Sequence, residues 1–280
     1  MQSTRQLFWH SLALATAIAT LCWAAISHAE ELVIPGSGNP ELVISALAKS
    51  FNGQQTQHRV IVPPTSGTAG AIRDVETDKA SIGRVGRPLK NDELARGLVY
   101  IPIGRDPVAF VAGASVSIKG LSSAQAIDAY TGKIRNWQEL GGKPGPIRAV
   151  GRESTDASRQ ALNRHIKVFE NIIFADSVKL VHLDPQMIEL LDRYPTSLGF
   201  LNRSALAACK TKVVPLALDG IDASAQNVES GRYPLWIEFG FIHKTGGLNL
   251  TAKAFVDFIR SPAGARILRE HGVLPIAKPA

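Results

Sequence analysis

"ELVIPGSGNPELVISALAKSFNGQ", residues 31–54, decides the fold class. Leu32-Val33-Ile34 is a short apolar run that stops at Pro35 and a Gly36-Ser37-Gly38 turn, as a strand entering a loop does. Beyond the turn, Leu42, Leu47, Ala48 and Phe51 recur at helical spacing. Pro40 suits a first helical position, where its missing N–H has no partner to lose. Strand, small-residue turn and helix follow one another within two dozen residues.

The same order recurs down the chain. "HRVIVPPT" (58–65) reads as a strand, and "SGTAGAIRDVETDKA" (66–80) as a glycine-led turn into a helix. "ASIGRV" (80–85) and "VYIPIG" (99–104) are further strands, and "DPVAFVAGAS" (106–115) reads as the start of a new block. "SSAQAIDAYTGKI" (122–134) is a helix capped by Ser122 or Ser123. "GPIRAVGRESTDASRQALNRHI" (145–166) is strand, polar turn and helix, and "PTSLGFLNRSAL" (195–206) is turn, strand and helix. "RYPLWIEFGFIHK" (232–244) is a bulky apolar strand, and residues 251–272 give two helical segments broken at Ser261-Pro262. Alternation of this kind predicts an α/β protein.

The first 29 residues stand apart. Arg5 precedes an apolar run over 12–26, and Ser27-His28-Ala29 offers small residues at the −3 and −1 positions of a cut before Glu30, the pattern of a cleaved signal peptide. The run is shorter than the roughly 20 residues of a membrane span. The chain after cleavage is expected to be soluble and about 250 residues long, enough for one large or two ordinary domains. Its one cysteine, Cys209, allows no intrachain disulfide, so the core must supply the stability.

The formal charge is +7, of which Arg5 carries one, leaving +6. The cations are scattered singly, so no nucleic-acid partner is expected, and a small anion remains. Three turns rich in Gly, Ser or Thr lead into helices, at 36–39, 66–70 and 152–158. Each places unpaired backbone N–H groups and hydroxyls at a positive helix end, the geometry of an oxyanion site. None has nucleotide P-loop spacing. The His and Cys spacings fit no metal site, no cofactor is implied, and no G-x-S-x-G elbow marks a hydrolase. Asp156 reads first as a helix cap. His165 and His243 read as surface or satisfied core residues, and Trp137 and Trp236, among apolar neighbours, as core. The expectation is a binding protein, not an enzyme.

With those motifs in order, the chain resembles the periplasmic phosphate-binding proteins of ABC importers. The most specific stretch is "AIDAYTGKIRNWQELGG" (126–142), and "GSGNP", "SGTAGAI", "SIGRVGRPL", "VGRESTDAS", "YPTSLGF", "GRYPLW" and "HGVLPI" occur in family order. The resemblance implies the type II periplasmic binding protein fold: two α/β lobes joined by two crossing strands, with the ligand between them. Residues 30–105 and 233–280 would form lobe one, and 106–232 lobe two. It implies a periplasmic protein of phosphate transport, a monomer, which captures a tetrahedral oxyanion by lobe closure. Phosphate is the simplest ligand, and an ABC permease of the inner membrane is the partner. Sulfate, or a divergent role in signalling or partner binding without transport, stands as the alternative.

The site residues implied are Gly38, Asn39, Thr68, Arg152 and Ser158, with Arg152 as the charged contact. The chain departs from the family pattern in three places. Asn39-Pro40 replaces a Thr and a residue with a free N–H. Asp156 replaces a serine. Gly86 replaces the aspartate that accepts the proton of hydrogen phosphate. Asp156 is the candidate to take over that acceptor role, and Arg84 and Arg87 are candidates either for extra cations in the cleft or for outward, solvated charges. The leader is directly checkable: intact mass of the exported protein should match a chain beginning at Glu30, and a membrane-bound species retaining residues 1–29 would refute it.

Overall fold

The computed structural model describes residues 30–277, so the leader segment lies outside the described residues. Strand β1 (Glu30–Val33) leads through the Gly36–Asn39 turn into helix α1 (Glu41–Asn52), and β2 (His58–Ile61) returns to pair with β1 in parallel, Leu32 opposite Val60. The buried face of α1 is Val43, Ile44, Leu47, Ala48 and Phe51. Leu42, expected on that face, instead packs half-buried against the other core, the one built from Val108 onward. Helix α2 (Gly67–Glu76), strand β3 (Gly83–Val85) and helix α3 (Asn91–Leu94) follow.

Strand β4 (Leu98–Ala112) runs for 15 residues, straight through the point where the sequence reads as a break. Its partners change midway. From Leu98 to Pro107 it pairs antiparallel with β10 (Trp236–Lys244), and from Val108 to Ala112 with β8 (Ser197–Asn202). A proline cannot donate a ladder hydrogen bond, and Pro107 stands where one set of pairings gives way to the next. β4 is therefore a single rod shared by two cores.

One core gathers side chains from Val108 to Ile237, with Phe110, Tyr130, Phe169 and Phe200 meeting as an aromatic cluster. The other joins the first strands and α1 to Phe239, Phe241 and two late helices, α10 (Leu250–Arg260) and α11 (Pro262–Glu270). Those helices break where the sequence says. Ser261 accepts the Gly264 N–H as a cap, and Pro262 occupies the first turn. The large sheet runs β3-β10-β4-β8-β6-β7, with β6 (Arg148–Arg152) and β7 (Lys179–Val181) parallel at its far edge. Helices α5 (Ala157–His165) and α7 (Asp184–Arg193) follow those last two strands. Trp137 is buried, with its indole N–H donating to Thr196 O at 2.8 Å.

Arg84 overturns both readings offered for it. It is neither a cleft cation nor a solvated charge but is fully buried, with burial depressing its pKa. Its guanidinium donates to the carbonyls of Ser37 at 2.9 Å, Pro63 at 2.7 Å and Ile34, and pairs with Glu41 at 2.8 Å. Its backbone bridges Gly36, whose φ of +140° and lack of a side chain allow the two chains to touch. The guanidinium thus ties the 34–37 turn, the β2 exit and the start of α1 into one unit. Arg84→Met should leave Glu41 and three carbonyls without donors and cost about 3–5 kcal/mol of unfolding free energy in denaturant melts. A loss below 1 kcal/mol would show that this clamp is dispensable.

Candidate functional site

The three small-residue turns converge on one cleft of about 560 Å³ between the two cores. Gly38 and Asn39 line it from the first turn, Thr68 from the second, and Arg152 and Asp156 from the third; Arg87 stands at its edge. Ser158 does not line the opening. It lies buried just beneath, where its hydroxyl receives the Asn39 side-chain amide at 3.2 Å. The first-turn N–H groups of α2 at Thr68 and Ala69 have no intrahelical acceptor and border the same space.

Arg152 ends β6 and is 4% exposed. Two carboxylates flank it: Asp156 Oδ2 at 2.6 Å from Nη2, and Asp184 Oδ1 at 3.1 Å from Nη1. Its Nε and Nη1 have no aligned hydrogen-bond acceptor among the described residues. Asp184 opens α7 deep beside the guanidinium, and burial pushes its carboxyl up to about 7 against the pull of Arg152.

Asp156 does two things at once. Oδ1 caps α5, accepting the N–H groups of Ser158 at 2.9 Å and Arg159 at 3.0 Å. Oδ2 accepts Arg152 and, at 3.4 Å, the Asn39 amide from across the cleft. A carboxylate offers about four acceptor positions, and here four donors use them.

Below these groups a buried polar network joins the cores. Asn202, at the end of β8, donates to Asn39 O at 2.9 Å and to Asp106 Oδ2 at 3.1 Å. Ser204 N–H donates to Asp106 Oδ1 at 3.1 Å. Gly86 lies where the backbone of one core approaches the other. A Cβ there would stand 2.7 Å from Ser37 Oγ and 3.3 Å from Ala157 Cβ, so a side chain at this position would require the Ser37 hydroxyl to turn aside. Arg87 is not a naked cation either. It forks onto Glu93 at 2.8 and 2.7 Å, a bond that lowers the Glu93 carboxyl to about 2. Lys90 and Arg164 bring further positive charge to the cleft, while Glu153 pairs with His182 at 3.0 Å. Among the described residues no group of three or more His, Cys, Asp or Glu is placed to hold a metal ion, and no helix is long and apolar enough to cross a membrane.

A family model described as the PBP superfamily domain matches residues 24–263. The chain belongs to the PBP superfamily. The phosphate-binding protein PstS of Bacillus subtilis is 26% identical over 254 residues, covering 88% of this chain and 80% of its own. A Clostridium perfringens structure with bound phosphate, assigned to phosphate ABC transporter substrate-binding proteins, superposes with a TM-score of 0.77 at 25% identity, over 88% of this chain and all of the other. An ABC-type phosphate transport receptor from Vibrio cholerae shares the fold, with a TM-score of 0.63 at 21% identity over 89% of this chain and all of its own. The α/β, two-lobed architecture read from the sequence is the architecture of this superfamily.

Within this PBP superfamily chain, the sequence reading missed Asp184, Asp106 and Asn202. Each lies far along the chain from the turn it serves, and only "LDPQ", a proline-marked helix start at 183–186, hints at one of them. Asp106 gives the network a measurable signature. Burial pushes its carboxyl up to about 6, above the ordinary 3.8. Between about pH 4 and 6 the folded chain holds this proton while the unfolded chain has released it. Its contribution to stability therefore falls as pH rises through that window and is level above it. Relative to Asp106→Asn, the wild type should lose about 2 kcal/mol between pH 4 and 7, read from urea midpoints. A constant difference would show that Asp106 does not titrate there.

Proposed function

We propose that this chain is an exported solute-binding protein that captures a tetrahedral oxyanion, phosphate foremost, between two closing lobes and hands it to an ABC permease in the membrane. The lobes are residues 30–105 with 233–280, and residues 106–232. The observation that carries the reading is Arg152: a buried guanidinium with unused donors, set where three N-terminal turns from both sides of the cleft meet. Backbone N–H groups, hydroxyls and one fork-shaped cation suit an oxyanion better than any other ligand class. The names of the Bacillus subtilis relative and the phosphate-bound Clostridium perfringens structure point the same way. Binding and release by lobe motion require no bond to be made or broken in the ligand, so the protein acts as a carrier and not as an enzyme. It works outside the cytoplasmic membrane, where its leader would direct it, and does so as a monomer.

Purified mature chain should gain stability with phosphate, by about 2.7 kcal/mol at a hundredfold excess over the dissociation constant. Sulfate and molybdate run beside it and name the ligand if phosphate is silent. Arg152→Ala would strand Asp184 and Asp156 without a counter-charge, so the cleaner variant is Arg152→Lys, which keeps the charge and loses the fork. It should stay folded and bind the anion at least tenfold more weakly by calorimetry. Unchanged affinity in folded Arg152→Lys, or no thermal response to any of the three anions, would sink the reading.

A further inference from the structure

The bonds of Asp156 are those expected of a bound anion. Two backbone N–H groups at the start of α5, the Arg152 guanidinium and a side-chain amide from the opposite lobe all donate to its carboxylate. Capping alone does not require this. Ser122 and Ser224 cap their helices through one oxygen each. The second oxygen of Asp156 is held instead by Arg152 and Asn39, the groups that face the cleft. Arg152 also has the Asp184 carboxyl beside it, Oδ1 at 3.1 Å from Nη1.

We propose that Asp156 is a tethered stand-in for the oxyanion: its carboxylate takes the donors of the anion cradle, and the ligand binds by exchanging with it. This inference rests on the oxyanion reading above. It makes residue 156 the position that sets affinity. An incoming phosphate must turn the carboxylate away from Arg152 and then sit beside it, two like charges in one small space.

Calorimetry at pH 7.5 on the mature chain compares wild type, Asp156→Ser and Asp156→Asn, titrated with phosphate. Asparagine still caps a helix, so that variant keeps the experiment alive if the serine variant folds poorly. Both variants should bind phosphate at least tenfold more tightly than wild type, and adding Arg152→Lys to either should cancel the gain. Equal or weaker binding by the folded variants, with clear binding by wild type, would overturn the stand-in role and leave the oxyanion reading intact. Absence of binding by wild type and both variants would remove the two together.

Discussion

Arg152 carries its charge into a space where almost no water reaches it, and the surroundings of the cleft are arranged around that fact. A buried guanidinium is tolerated only with counter-charge and acceptors close by. Asp156 and Asp184 supply the charge from two different helix starts, α5 and α7. Each helix start lies at the end of a parallel strand, so the order of β8, β6 and β7 in the sheet is what brings the carboxylates to one guanidinium. The site is a consequence of strand order before it is a consequence of any single turn.

The same logic holds at the junction of the cores. β4 belongs to both, pairing with β10 along its first part and with β8 along its last. Asp106, Pro107 and Val108 sit where its partners change from β10 to β8. There a carboxylate, two asparagines and a serine satisfy one another out of contact with water. A fully satisfied buried network of this kind favours one geometry over its neighbours, because any shift leaves a polar atom unpaired. Asn39 belongs to this network and to the cleft wall alike.

The loop over residues 80–90 shows how little composition says about direction. Its two arginines and two glycines read equally well as an anion-facing loop or as solvated surface. Arg84 turns inward to bind three carbonyls, Arg87 turns sideways onto Glu93, and Gly86 is pressed between the cores. A side chain at 86 would meet the Ser37 hydroxyl and the Ala157 methyl group.

Much of the fold was legible in the sequence because its signals are local. The 31–54 stretch, the Ser122 cap, the Ser261-Pro262 break and the three small-residue turns depend on neighbours within a few positions. The charged core of the site was half legible for the same reason: Arg152 and Asp156 lie four apart in one turn. Leu42 could not be assigned, since its partner core is built from residues beyond 107, and the 106–115 break was misread because pairing partners, not the strand's own residues, determine its continuity. Asp184, Asn202 and Asp106 are separated in sequence and meet only when the sheet is ordered and folded. Sequence determined which segments become strands, helices and N-terminal turns. Tertiary structure alone decided which charges meet, because ion pairing and desolvation depend on distances across the cleft that no local pattern encodes.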